Sequence, residues 1–326
     1  MSESQTRARH TLKERIRKQL KADDYNLIVI LGPTASGKTR LAAMLAKEIG
    51  SEIISADSRQ VYRGMDLGTG KDISEFMING TVIPCHLIDI VDADYEFNLF
   101  EYQKMFYRTF TEISQRGVMP IMVGGTGLYI EAIVKDYRMH AVPENASLRE
   151  ELRTMDMDVL RDRLVKSNPS VHNTTDTQDR ERLVRAIEIA EYSKDHPFVE
   201  EAERPQINPF IIGIGWERNL LRERITRRLK DRIDRGMIEE VKTLHDQGVS
   251  WERLDSFGLE YRYLSRYLRG EMDREEMVQQ LGTRIHQFSK RQMTWFRRME
   301  RLGIVIHWLE NPDYESVKKL VEEHVG

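Results

Sequence analysis

The chain has 326 residues, 40% hydrophobic and 32% charged, with a formal net charge of −3. That balance excludes a disordered chain and a surface that binds polyanions indiscriminately, and it supplies apolar material for one large domain or two smaller ones. The single cysteine, Cys85, excludes a disulfide framework and a Cys/His zinc cluster. No apolar run approaches the roughly 18 residues of a membrane span and no signal-peptide pattern opens the chain, so a cytoplasmic protein with no membrane partner is expected. Residues 1–24 carry Arg7, Arg9, Lys13, Arg15, Arg17, Lys18 and Lys21 among few apolar residues. This predicts a frayed basic arm that cannot bury a face. RNA contact and plain solvation are both open for it.

The apolar run Leu27-Ile28-Val29-Ile30 predicts a strand, and Gly32-Pro33-Thr34-Ala35-Ser36-Gly37-Lys38-Thr39 follows it. This is the G-x-x-x-x-G-K-[ST] phosphate loop in its required place, with a strand before it and a helix after it. Backbone N–H groups of residues 32–39 would wrap phosphate oxygens, Lys38 would add a point charge, and the Thr39 hydroxyl is a candidate Mg²⁺ ligand. Thr39–Ile49 reads as a helix with Leu41, Met44, Leu45 and Ile49 on one face and Gly50 as its stop. A second strand, Glu52–Ser55, delivers Asp57-Ser58-Arg59-Gln60 to the carboxyl edge of a parallel sheet, where ligands sit. Asp57 could there ligate a metal, accept a proton or simply cap a helix.

Phe100, Met105, Phe106, Phe110 and Ile113 recur at helical spacing between Asn98 and Gly117, and the strand Val118–Val123 then meets the turn Gly124-Gly125-Thr126-Gly127. From Val142 to Asn208 strands vanish; charged helical stretches at 147–153, 159–166 and 179–189 predict an inserted helical subdomain punctuated by Pro169 and Pro205. Pro209–Gly215 returns as a buried parallel strand. The segment 218–235 places Arg224, Arg228, Arg232 and Arg235 along one side of a helix, where a guanidinium fork suits a diphosphate or an RNA phosphate. The region 256–301 interleaves cations with rings, including Tyr261, Arg262, Tyr263, Tyr267, Lys290, Arg291, Trp295 and Arg297. That pattern suits a nucleic-acid groove, although core packing is equally open for Tyr263, Tyr267 and Trp295. Residues 304–308 read as an edge strand and 315–325 as its covering helix.

Together, the phosphate loop, Ile54–Asp66, His86-Leu87-Ile88-Asp89, Val123–Tyr129 and Lys290-Arg291-Gln292-Met293-Thr294-Trp295-Phe296-Arg297 resemble, in order, the tRNA dimethylallyltransferases. The resemblance spans about residues 26–310. It implies an α/β fold: a P-loop NTPase-like core with a parallel sheet flanked by helices, residues 25–141 and 209–326, interrupted by a helical insertion, 142–208, that clamps the tRNA anticodon stem-loop. It implies transfer of an alkyl group other than methyl, from dimethylallyl diphosphate to N6 of the adenosine 3′ to the anticodon, with Mg²⁺ as cofactor and a monomeric enzyme. In that register Asp57 is the base, Thr126 contacts the target nucleotide and Arg228 contacts the diphosphate. RNA contacts fall on Asp57, Ser58, Arg59, Gln60, Thr126, Arg149, Arg182, Arg185, Tyr261, Arg262, Lys290, Arg291, Gln292, Thr294, Trp295 and Arg297. A free-adenylate isopentenyltransferase, a P-loop small-molecule kinase and a noncatalytic RNA-binding relative are the alternatives. Three departures bear on the acceptor: Gly258-Leu259 replaces a Gly-Tyr pair and is followed by Glu260, Gly68-Thr69-Gly70-Lys71 replaces Gly-Thr-Ala-Lys, and Cys85-His86 replaces paired histidines. Glu260 is expected to place a carboxylate where RNA approaches.

Overall fold

The computed structural model describes residues 11–19, 25–139, 141–167, 179–196 and 204–325. In chain order it contains α1 (Leu12–Gln19), β1 (Leu27–Leu31), α2 (Lys38–Ile49), β2 (Ile53–Ala56), the hairpin β3 (Met77–Ile78) and β4 (Thr81–Val82), β5 (Cys85–His86), α3 (Leu99–Gln115), β6 (Ile121–Gly124) and α4 (Gly127–Val134). There follow α5 (Ala146–Arg153), α6 (Met157–Ser167), α7 (Arg180–Asp195), β7 (Pro209–Gly215), α8 (Arg218–Asp234), α9 (Met237–Asp246), α10 (Trp251–Ser256), α11 (Leu259–Leu268), α12 (Arg274–Arg301), β8 (His307–Glu310) and α13 (Tyr314–His324). Two compact units result: Met1–Asp136 with Pro205–Gly326, and Tyr137–Arg204. The helical unit therefore begins and ends a few residues before the 142–208 segment read from sequence.

The first unit is built on a six-stranded sheet in the order β5-β2-β6-β1-β7-β8, with every pairing parallel. β1 is central and reads Leu-Ile-Val-Ile-Leu with all five residues buried, as a strand covered on both faces requires. One face packs against α1, α2 and α13, joining Ile28 and Ile30 to Leu45, Ile49, Val317 and Val321. The other face joins Leu27, Val29 and Leu31 to Tyr102, Phe106, Tyr129 and Phe296 from α3, α4 and α12. Each such fully buried aliphatic or aromatic side chain contributes about 1.5–3 kcal/mol, so the sheet edge that carries the site rests on a rigid base. A further apolar cluster gathers α8, α9, α10, α11 and the first half of α12 around Leu229, Met237, Leu264, Met277 and Leu281.

The sequence expectation for residues 1–24 is corrected in part. Leu12 and Ile16 fall four apart on α1, and both are buried in the core beside α2, so this stretch does bury a face. Arg7, Arg9 and Lys21, like Pro169, lie outside the described residues. The last strand is displaced as well: it runs His307–Glu310, because α12 continues to Arg301 and Gly303 turns the chain with φ 86° before pairing begins. α3 starts where Asn98 and Glu101 form a reciprocal capping box, a signal the sequence carried. Among the described residues, no helix is long and apolar enough to cross a membrane.

The helical unit has its own small core of Leu148, Leu152, Leu160, Leu164, Leu183 and Ile187, one face from each of α5, α6 and α7. Glu188 lies within this unit with its side chain 1% exposed. Arg149 meets it with two hydrogen bonds, Nε to Oε1 at 3.1 Å and Nη2 to Oε2 at 3.0 Å, and Arg185 also donates to it. These guanidinium partners hold the Glu188 carboxyl below its ordinary pKa against the opposing effect of burial.

Candidate active site

The phosphate loop leaves β1 at Leu31 and turns into α2 through Gly37, whose φ of 83° is open to glycine and costly for other residues. Gly37 offers no side-chain cap, so the first-turn N–H groups of α2 remain directed at the loop, which is the arrangement that receives an anion. The loop is held from outside by Trp216, which the sequence reading did not single out, and by Arg224, which it read as a phosphate-binding candidate. The Trp216 indole donates to the Ser36 carbonyl at 2.9 Å, and Arg224 Nε donates to the Ala35 carbonyl at 2.9 Å while its guanidinium lies 4.1 Å from the Trp216 ring. Within the loop the Thr34 N–H is taken by Gln292 Oε1 at 2.9 Å and the Ser36 N–H by the Pro33 carbonyl at 3.3 Å, which leaves the N–H groups at the start of α2 to receive an anion. Among the described residues the Ser36 hydroxyl is buried without a partner, an orphaned polar atom of the kind a ligand satisfies.

Lys38 follows Gly37 and donates to the Pro33 carbonyl at 3.3 Å. Burial and the Arg228 guanidinium lower its pKa to about 8, with Asp57 and Glu75 opposing the shift. Asp57, Arg228 and Lys38 therefore share one electrostatic neighbourhood although they lie far apart in sequence. Arg228 Nη2 donates to the Gly70 carbonyl at 3.1 Å, which places the Gly68–Lys71 turn against α8.

That turn is unusually well fixed. Glu240 accepts the backbone N–H groups of Asp66, Leu67 and Gly68 at 2.7–2.9 Å and the Tyr261 hydroxyl at 2.7 Å. Lys71 is buried and donates to the Tyr62 carbonyl at 2.8 Å and to Asp66 and Asp89. Asp89 thus belongs to the groups that fix this turn.

Asp57 stands at the carboxyl end of β2, immediately beside β6. Its Oδ1 accepts the Arg59 N–H at 2.9 Å, and among the described residues Oδ2 has no partner. The Thr126 hydroxyl accepts the Ser58 N–H at 3.1 Å, tying the loop after β6 to the loop after β2. Gly124 is obligatory here, since a Cβ at that position would lie 2.1 Å from the Ala56 carbonyl oxygen. Beneath Asp57 the rings of Tyr102 and Tyr129 stack at 4.0 Å, and the Tyr102 hydroxyl donates to the Ser55 carbonyl. Burial raises both phenol pKa values, so the two hydroxyls stay protonated next to the carboxylate. Burial also lowers the Arg59 pKa. Gln60 donates to the Gly70 carbonyl at 3.4 Å, so of the run 57–60 this residue turns toward the Gly68–Lys71 turn.

The block 290–297 divides by face. Lys290, Arg291, Thr294 and Arg297 are exposed on α12, as RNA contact demands. Gln292 is not: it is buried, accepts the Thr34 N–H at 2.9 Å and donates to the Gly125 carbonyl at 2.9 Å, so it bridges the two loops and its RNA-facing assignment is corrected. The Trp295 ring lies against Gly127, where a Cβ would come within 2.4 Å of it, and its indole nitrogen is buried without a partner. Tyr261 is corrected likewise, being 1% exposed with its hydroxyl committed to Glu240, whereas Arg262 is exposed. Arg149 and Arg185 are committed to Glu188, while the Arg182 side chain on the same helical unit is exposed. Glu260, expected to place a carboxylate where RNA approaches, has its side chain 22% exposed and faces Arg232.

The Thr39 hydroxyl follows Lys38 in the first turn of α2, and a hydroxyl is a hard-oxygen donor of the kind Mg²⁺ takes. Among the described residues no cluster of three His, Cys, Asp or Glu forms a protein-only cage. Such sparse protein ligation is usual where substrate phosphates complete the octahedron.

Two family models match the chain, "IPP transferase" over residues 60–299 and "Isopentenyl transferase" over residues 25–83. The chain is 58% identical to tRNA dimethylallyltransferase 1 of Syntrophus aciditrophicus, covering 90% of this chain and 96% of that one. It is 54% identical to tRNA dimethylallyltransferase 2 of Bacteroides fragilis, covering 88% and 93%. Its structure is similar to that of the full-length tRNA isopentenylpyrophosphate transferase of Bacillus halodurans, with TM-score 0.66, 32% identity and coverage of 92% and 95%. The fold alone also matches a eukaryotic dimethylallyltransferase acting on tRNA, with TM-score 0.73, 21% identity and coverage of 91% and 78%.

Proposed function

The chain belongs to the IPP transferase family of P-loop NTPase-like fold, and from that membership we propose that its site transfers a dimethylallyl group from dimethylallyl diphosphate to N6 of the adenosine 3′ to the anticodon of tRNA, releasing pyrophosphate. The observation that carries this reading is the pairing of an anion cradle with a carboxylate that keeps one oxygen uncommitted. The α2 N-terminus and Lys38 form the cradle, and Asp57 faces the same space.

In the chemical step the N6–C1 bond forms as the C1–O bond breaks. The electron pair of that bond leaves on pyrophosphate, and the N6 proton passes to Asp57 Oδ2. An amine conjugated to a purine is a weak nucleophile until this proton is removed, so Asp57 acts as general base. Lys38, Arg228 and the N–H groups at the N-terminus of α2 stabilise the charge that develops on the leaving group. Thr39 would hold Mg²⁺, which when bound would further neutralise that charge. Thr126 holds the Asp57 loop and lines the acceptor side. The exposed cations Lys290, Arg291 and Arg297 on α12, and Arg182 on the helical unit, are assigned to the tRNA backbone.

The test is transfer of label from radiolabelled dimethylallyl diphosphate, with Mg²⁺, to unmodified tRNA and to AMP in parallel, using wild type and Asp57→Ala. Label on tRNA that falls by about 10²–10⁴ in the variant, with donor binding retained, is the expected result. Label on AMP alone, or an Asp57→Ala enzyme with wild-type turnover, would overturn the acceptor or the base respectively.

A further inference from the structure

Arg232 lies on α8 one helical turn beyond Arg228 and is 9% exposed. Among the described residues its guanidinium enters no hydrogen bond, and its ion pair with Glu260 Oε1 is long, at 3.8 Å. A guanidinium carries five N–H donors, and among the described residues a distant carboxylate is the charge they face. Its position adds to the anomaly. A Cβ at Gly70 would lie 1.7 Å from Arg232 Nη2 and 2.9 Å from Arg228 Nη2, so both guanidiniums converge on the turn that Glu240 and Lys71 hold in place. Both also act electrostatically on Lys38. Three cations therefore crowd one space, with Asp57, Glu75 and Glu260 as the anions near them. Arg228 and Arg232 each disfavour the Lys38 ammonium, and a diphosphate brings several acceptor oxygens arranged for guanidinium forks.

We propose that Arg232 is a further binding residue for the donor diphosphate, and that Glu260 is its resting counter-ion, ceding the guanidinium when the donor enters. The proposal rests on the reading of the phosphate loop as the donor site. Glu260 follows Gly258-Leu259 on α11, where the sequence departs from the family's Gly-Tyr, and its burial against Arg232 assigns that departure to the donor side of the site. Burial raises the Glu260 carboxyl pKa against the opposing pull of Arg232, and burial lowers Arg232 to about 10, so enclosure works against the charged form of both members of the pair.

The experiment is calorimetric titration of inorganic pyrophosphate with Mg²⁺ into wild type, Lys38→Ala, Arg232→Met, Arg232→Lys and Glu260→Gln, with thermal unfolding and tRNA binding measured on each. Arg232→Met is expected to weaken pyrophosphate by roughly 10- to 100-fold, the loss of a charge-assisted contact, and to leave tRNA affinity unchanged. Arg232→Lys, which keeps the charge and replaces the fork by a point charge, should lose about 3- to 10-fold and guards against a Met variant that fails to fold. Glu260→Gln should tighten pyrophosphate by a few-fold, because the competing carboxylate is neutralised. Opposite effects from the two halves of one ion pair separate a ligand role from a structural one. If both Arg232 variants bind pyrophosphate as wild type does while Lys38→Ala does not, the inference fails and the donor site stands. If wild type itself does not bind, or Lys38→Ala binds equally well, the donor-site reading fails and takes this one with it.

Discussion

Lys38 should make donor binding pH-dependent. Burial and the Arg228 guanidinium lower its pKa from 10.5 to about 8 in the free protein, whereas a bound diphosphate favours the ammonium form and raises the pKa again. Only the protonated form offers the charge, so affinity is full below pH 8 and declines above it. The apparent dissociation constant scales as one plus the ratio of neutral to charged Lys38. That factor is about 1.1 at pH 7 and about 11 at pH 9, a roughly tenfold weakening or about 1.4 kcal/mol. Pyrophosphate itself ionises further over the same interval, which opposes the decline and makes the observed change a lower bound. Titration of pyrophosphate with Mg²⁺ from about pH 6.5 to 9.5 measures it, with Lys38→Arg as a permanently charged control. Net proton uptake on binding near pH 8.5, read from two buffers of different ionisation enthalpy, gives an independent check. A flat wild-type profile that parallels Lys38→Arg, with no proton uptake, would refute the argument.

Glu240→Gln replaces an acceptor of three backbone N–H groups and the Tyr261 hydroxyl; a loss of about 1–3 kcal/mol in urea unfolding is expected, with weaker pyrophosphate binding because the Gly70 carbonyl no longer positions Arg228. Arg291→Ala should weaken tRNA without touching pyrophosphate, and should reduce the slope of log affinity against log salt by about 0.7–0.9, the signature of one phosphate contact. Glu188→Gln leaves Arg149 and Arg185 without their buried partner charge; hydrogen exchange in α5 and α7 should accelerate by at least about tenfold while β1 and β6 stay protected. A uniform acceleration across both units would count against that last reading.

The parts of the site that were legible in the sequence are those whose chemistry is local. Gly37, Lys38 and Thr39 act through the backbone of one short loop, and Asp57 and Thr126 sit at strand ends that periodicity locates directly. What stayed hidden depends on which face of a helix turns inward. Gln292 and Arg291 are adjacent in one basic-aromatic block, yet the first is buried between two loops and the second is exposed. The same holds on α8, where Arg228, Arg232 and Arg235 look alike at helical spacing, while burial singles out Arg232 and leaves Arg235 on the surface. Arg149 and Arg185 could be distinguished from a solvated face only by finding Glu188 between them, a tertiary fact. Leu12 and Ile16 escaped notice because two apolar residues amid many cations give a weak periodic signal, although two suffice to dock one turn of helix onto α2.

On the proposed reading, α12 is one element that serves both substrates. Its inward face, Gln292, Phe296 and Met299, is fixed by apolar packing against β1 and α4 and by the Gln292 bridge from Thr34 to Gly125. Its outward face carries Lys290, Arg291, Thr294 and Arg297. Because the helix is continuous from Arg274 to Arg301, RNA-facing cations and the brace of the phosphate loop belong to one rigid body. The distance between tRNA backbone contacts and the donor cradle is then set by helix geometry and not by a flexible connection. The attacking nitrogen must meet C1 in line with the departing oxygen, and a misplacement of about 1 Å costs on the order of a hundredfold in rate. A single helix that fixes both references gives the alignment without any need for the two substrates to touch the same side chain.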